Sequence, residues 1–387
     1  MKPPSFTALI APQHPSPPII RPTRVEVDLA RVSQNFVAVR AHVGGRRIMA
    51  VLKANAYGHG LVAVARVLVT QGVDSLAAAF LEEAVTLREA GIAVPILVLG
   101  SLAGEQIPRF LEHDLTLTAS SVEKLQLIDQ AAMSRRIRAK VHLKIDTGME
   151  RVGIHYYHAD RLLEASLRCQ WVDVTGIYSH FASSDASDLA VAKEQLERFL
   201  SVLDFYRQRS LPAPTRHIAN SGGILQLPES HLDLVRPGIL LYGYYPSAEC
   251  RRTIAVEPAL SWRSQVCYFK VLAANTPVGY GGTWQSEQPV RLVTVPVGYG
   301  DGYFRALSDR AQVLIRGRRY PVVGRISMDQ LVVNIGWDSA YNGDQVTLIG
   351  RDAEETIGAE EVAQWANTIS YEVLTNINAR VPRVFIG

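Results

Sequence analysis

From Arg24 onward, short apolar runs alternate with longer stretches of helical period. This arrangement predicts parallel strands joined by crossover helices. Candidate strands fall at positions 48–52, 75–79, 96–99, 115–118, 141–145, 172–178, 217–219 and 234–235. Between them lie helical patterns at 61–70, 82–90, 121–131, 158–167 and 191–206. Eight strand-and-helix units within about 215 residues fit a (β/α)8 barrel better than an open doubly wound sheet. After about Tyr244 the texture changes to alternating segments broken by Gly and Pro, at 291–297, 311–315, 320–323, 331–335 and 345–349, with one amphipathic helix at 359–367. That pattern predicts a mostly antiparallel β domain. The expected organisation is a loose tail over 1–22, a barrel over 23–244 and a β domain over 245–387. Val25, Val27 and Leu29 alternate with polar residues, so their segment is expected to pair with the second sheet.

The 387 residues are 48% hydrophobic and 20% charged, a balance that buries a large core and excludes both a small module and a disordered chain. Forty basic against thirty-seven acidic residues leave +3, with no Lys/Arg run that could neutralise a row of phosphates, so nucleic acid is not an expected partner. Cys169, Cys250 and Cys267 are widely spaced and form no CxxC pair, which points to neither a disulfide framework nor a zinc site and fits a cytoplasmic protein. The uncharged stretch 90–104 is short for a membrane span and broken by Pro95, and the proline-rich start lacks the apolar core of a secretion signal. Membrane association is not expected.

In a parallel barrel, reactive groups belong at the C-terminal strand ends. Lys53 directly follows the first apolar run, where burial would lower its pKa and suit it to act as a Schiff-base amine; the alternative is a surface-paired rim lysine. Gly58-x-Gly60-x-x-Ala63 also matches the dinucleotide fingerprint, but five residues separate Leu52 from Gly58, where the fingerprint places its first glycine in the tight turn after the strand. The fifth strand end supplies Lys144, Asp146 and Arg151, the sixth His180, the seventh Asn220 and Ser221, the eighth Arg236, Gly238 and Ile239. Ser221-Gly222-Gly223 and Gly238 read either as ordinary glycine turns or as the phosphate cradle that barrels build after strands seven and eight.

The segments AVLKANAYGHG, HLKIDTGMERVG, GIYSHFASSD, HIANSGG, VRPGILLYG, VGYGGTW, VGYGDGYFR, VGRISMDQ and YEVLTNINARVPR resemble, in the same order, those of alanine racemases, pyridoxal-phosphate enzymes of fold type III. The resemblance runs from about Arg24 to Val384. It implies interconversion of L- and D-alanine with pyridoxal 5′-phosphate, supplying D-alanine for peptidoglycan; a racemase of broader preference, acting on serine for example, is the alternative. It further implies that Lys53 holds the cofactor and is one catalytic base, with Tyr280 the other. Arg236 would face the pyridine nitrogen, His180 would pack on the ring, and Tyr57, Asn220, Ser221, Gly238, Ile239 and Tyr371 would complete the cofactor site. Arg151, Met328, Tyr299 and Asp329 would contact the substrate or line its approach, and Lys144 would be a candidate for carbamylation. Because Tyr280 lies in the second domain, the family arrangement has it supplied by a neighbouring subunit in a homodimer with shared sites. Ser327 departs from the pattern, standing where many relatives have cysteine.

Overall fold

A computed structural model describes residues 21–387, and the chain divides into two compact units. One comprises residues 32–56 and 61–257; the other, among the described residues, comprises 21–31, 57–60 and 258–387.

The first unit is the barrel. Its strands are β1 (Arg47–Val51), β2 (Ser75–Ala78), β3 (Ile96–Val98), β4 (Leu117–Ala119), β5 (Ala139–Asp146), β6 (Val172–Tyr178), β7 (Thr215–His217) and β8 (Leu234–Val235). Parallel ladders join β8, β1, β2 and β3 in one run and β4, β5, β6 and β7 in another. A parallel bridge from Leu97 to Thr116 closes one seam. Amides of Asp233 and Arg236 donating to the carbonyls of Arg216 and Ala219 close the other. The strands are buried almost throughout, as β2 and β3 show at every position, because crossover helices cover the outer face while side chains fill the lumen.

The second unit contains a mostly antiparallel sheet, in order Arg318–Pro321, Gln312–Ile315, Gln345–Asp352, Leu260–Gln265, Arg24–Asp28 and Arg383–Ile386, the last pair being parallel. A three-stranded sheet of Tyr268–Leu272, Val290–Val295 and Leu331–Asn334 adjoins a cluster of Val278, Val290, Leu292 and Val323.

Three boundaries shift from expectation. Arg24–Asp28 pairs with Leu260–Gln265, as its alternation anticipates, which moves residues 23–31 out of the barrel. Residues 245–257 belong to the barrel unit, where Asn35 exchanges hydrogen bonds with the backbone of Glu257. Residues 1–20 lie outside the described residues, but the expected loose tail does not extend to 22. Arg21 makes a two-pronged pair with the buried Asp301. The three cysteines are free. No helix among the described residues is long and apolar enough to cross a membrane.

Candidate active site

Immediately after Lys53 the chain turns left-handed. Ala54, Asn55, Ala56 and Tyr57 have φ of 53°, 55°, 54° and 52°. Left-handed backbone costs a non-glycine residue about 1–2 kcal/mol, so the surroundings must impose this turn. The amide of Ala56 donates to Leu52 O at 2.7 Å, that of Ala54 to Glu83 Oε1 at 2.6 Å, and that of Leu61 to Asn55 Oδ1 at 2.8 Å. A Cβ on Gly58 would lie 2.3 Å from Leu374 O, and one on Gly60 would lie 2.7 Å from the Phe385 ring. These glycines admit the protein's own chain, which sets aside the dinucleotide reading.

Lys53 lines a cavity of about 290 Å³ together with Phe80, Met149, Tyr178 and three further basic residues, Lys144, Arg151 and Arg236; among the described residues no carboxylate lines it. Lys53 has no hydrogen-bond or ion-pair partner among the described residues. Burial lowers its pKa, the charge of Arg151 and then Arg236 adding to the effect and that of Glu83 opposing it. Lys144 is buried, donates to Ile145 O at 2.9 Å and stands over the Tyr178 ring. Its pKa falls to about 7 through burial and the charge of Arg236. Asp146 builds the loop that follows β5. Its carboxylate accepts from the amides of Gly148, Met149, Glu150 and Arg151, and although burial pushes its pKa up, these bonds hold it below the usual range.

Arg236 is 2% exposed. Its Nη1 bonds His217 Nδ1 at 2.8 Å, and its Nη2 reaches Ser179 O, Ile218 O and His180 Nδ1 at 2.8, 3.1 and 3.2 Å. Guanidinium only donates, so both histidines accept through Nδ1. Burial, then the charge of Arg236, depresses the pKa of each and keeps both neutral. Tyr178 stacks on His217 with ring centroids 4.9 Å apart.

Beyond β7, Asn220 caps the helix Ser221–Gln226, its Oδ1 accepting from the amide of Gly223. The Ser221 hydroxyl accepts from the amide of Gly238, tying the loops after β7 and β8 together, with Ile239 fully buried behind them. A Cβ on Gly222 would sit 2.7 Å from Ser184 O, so only glycine fits.

In the β unit, Tyr280 is 71% exposed on a short turn, and its neighbour Gly281 packs against Arg325. The amides of Tyr299 and Gly300 bond the carbonyls of Ser327 and Met328. Tyr280, Tyr299, Met328 and Asp329 are thus presented by adjoining loops, and Met328 is itself exposed. Arg380, which the sequence did not single out, bonds Asp301 and Asp329 and fixes these loops. Tyr57 and Tyr371 meet with ring centroids 6.0 Å apart.

Residues 27–246 match the N-terminal domain of alanine racemases and residues 259–385 the C-terminal domain. The chain belongs to the alanine racemase family. It is 43% identical to the alanine racemase of Carboxydothermus hydrogenoformans over 95% of this chain and 100% of that protein. The structure of alanine racemase from Bacillus anthracis with bound L-Ala-P superposes with a TM-score of 0.91 at 35% identity, covering 96% of each chain. That of the Bartonella henselae alanine racemase, with covalently bound pyridoxal phosphate, has a TM-score of 0.85 at 28% identity, covering 94% of this chain and 99% of that one.

Within this alanine racemase scaffold the structure brings Lys53, Lys144, Arg151, His180 and Arg236 onto one cavity. Three residues that the sequence did not assign to this site support it: Glu83, which with Glu82 could only be read as the acid of the dinucleotide fingerprint, Tyr178 and His217. The latter two lie inside quoted family segments but look like ordinary strand residues. Glu83 looks like any first-turn helix acid.

Proposed function

We propose that this chain is an alanine racemase that interconverts L- and D-alanine with pyridoxal 5′-phosphate, as a cytoplasmic homodimer with shared sites that supplies D-alanine for peptidoglycan. The observation that carries the reading is the partly buried Lys53 amine, unpartnered among the described residues, in a cavity walled by the guanidinium groups of Arg151 and Arg236 and, among those residues, by no carboxylate. Such a wall suits an anionic ligand with an electrophilic carbonyl, and pyridoxal 5′-phosphate has both features.

Lys53 would hold the cofactor aldehyde. Tyr57, Asn220, Ser221, Gly238, Ile239 and Tyr371 would hold the phosphate, Arg236 the ring nitrogen and His180 the ring face. When bound, the cofactor supplies a conjugated electron sink for the charge that develops at the substrate Cα. Arg236 keeps its proton, because guanidinium does not yield it to a pyridine. The sink is thereby moderated, and return of the proton at a carbon other than Cα is disfavoured. Lys53, its pKa lowered by burial, takes or returns the proton on one side of Cα, and Tyr280 serves the opposite side. The exposure of Tyr280 on its turn suits presentation to a neighbouring subunit's cavity. Arg151 and the Met328 backbone would bind the substrate carboxylate, with Tyr299 and Asp329 lining the approach. Carbamylated, Lys144 would become an anion able to orient Arg151.

The test is chirality. Purified protein supplied with pyridoxal 5′-phosphate should convert either alanine enantiomer to the racemate, with L-serine turned over more slowly. Borohydride should fix the pyridoxal group on the peptide containing Lys53. Absence of racemisation, or fixation at another residue, would overturn the reading.

A further inference from the structure

The helix Leu81–Glu89 opens with Glu83 accepting two amides from its own start, those of Ala79 at 2.8 Å and Phe80 at 3.4 Å, through Oε2. A helix cap requires no more. The second oxygen does something else: Oε1 accepts the amide of Ala54 at 2.6 Å, across 29 positions of sequence. That amide belongs to the peptide linking Lys53 to the left-handed run, so its orientation sets the direction in which Lys53 leaves the backbone. Ala79, Phe80 and Lys53 all line the same cavity.

We propose that Glu83 is a positioning residue for the racemisation reaction, its carboxylate clamping the peptide after Lys53 to the start of the neighbouring helix and so aiming the lysine amine into the cavity. This rests on the role proposed for Lys53. Only a carboxylate meets the demand, because each of its oxygens is an acceptor, whereas glutamine would turn an NH2 toward one of the backbone donors. Arg151 from the loop after β5 and Arg236 immediately after β8 act on Lys53 as cations, and Glu83 is the acid among the groups acting on it. Lys144 on β5 and a neutral His180 after β6 share the cavity. The same clamp therefore moderates the depression of the Lys53 pKa.

Holoenzyme carrying Glu83→Gln or Glu83→Asp tests this by three readouts: steady-state kinetics, the pH profile of kcat, and amide hydrogen exchange. For Glu83→Gln, kcat should fall roughly 10–100-fold, as for a small misplacement of a reacting group, with KM for alanine within about threefold. The limb of the kcat profile belonging to Lys53 should move to lower pH, since an anion favouring the protonated amine is gone. Exchange at Ala54 should quicken while the last turn of Leu81–Glu89 stays protected. Glu83→Asp keeps the charge and shortens the reach, so it should restore the pH profile and not kcat. Native kcat and profile in Glu83→Gln, or faster exchange throughout the helix with an unmoved profile, would reduce Glu83 to a cap and overturn the proposal. A Lys53→Ala control that still racemises alanine would instead overturn the role of Lys53, whatever Glu83 does.

Discussion

Arg236 donates to Nδ1 of His217 at 2.8 Å, and the partners of its guanidinium are neutral acceptors: two carbonyls and two imidazoles. The consequence passes along the barrel. With Nδ1 accepting, the His217 proton sits on Nε2 and is donated to His142 Nδ1 at 2.9 Å, which leaves the His142 proton on its own Nε2. Burial, then the charge of Arg236, pushes His142 down to about 3.

Nitrogen-15 NMR of the imidazoles should therefore report the Nε2–H tautomer for His142 and His217, with neither titrating in the ordinary imidazole range. An imidazolium forming near pH 6.5 at either position would contradict the chain of donors.

Lys144 has a folded pKa of about 7 against an ordinary 10.5. Between these values the unfolded chain holds a proton that the native state lacks, so stability rises with pH across this window and the contribution is lost as pH falls through about 7. In CO2-free buffer the melting temperature should climb from pH 7 toward 10, and Lys144→Met should flatten that slope. The neutral amine is also competent to attack CO2, forming an N–C bond and releasing a proton. Labelled bicarbonate should give a carbamate carbon signal that Lys144→Met abolishes.

Asp301 is fully buried and accepts from Arg21, Arg380 and the amide of Gly298. Burial alone would raise its pKa, but these bonds hold it below 3.8. Its contribution is complete above the ordinary carboxylate range and disappears as pH falls through the lower folded value. Asp301→Ala should cost about 2–3 kcal/mol at pH 7, because both arginines reach water and rehydrate. Denaturant titrations at pH 7 and pH 3 should show the gap between variant and parent narrowing in acid.

Gly58 and Gly91 both have φ of 82°, but a Cβ on Gly58 would meet Leu374 O at 2.3 Å while one on Gly91 meets open space. Gly91→Ala should cost about 1–2 kcal/mol from backbone strain alone. Gly58→Ala adds overpacking and should cost roughly 2–5 kcal/mol. Equal losses in a paired urea titration would refute the close-approach argument.

The barrel was legible because its strands are short apolar runs between helical patterns, and Val25 and Val27 declared the odd strand by simple alternation. Leu260–Gln265 escaped notice because one of its inward positions is Ser264, satisfied by Thr23 rather than by apolar packing. Tyr268–Leu272 escaped because it is largely exposed and shows no clean alternation. Lys53 could be found from its place at a strand end. The left-handed run after it could not, since Ala54, Ala56 and Tyr57 carry no sequence mark of positive φ, and Asn55, which adopts it more readily, marks one position and not a run. Glu83, His142 and His217 act through partners distant in sequence, which no local pattern encodes.

In the proposed reaction Lys53 and Tyr280 each serve one side of the substrate Cα. Exchange of the α-hydrogen in deuterated water, followed for each alanine enantiomer with Lys53→Ala and Tyr280→Phe, tests it most directly. With one base on each face, the two variants should lose exchange from opposite enantiomers. Equal residual exchange from both enantiomers in either variant would contradict it.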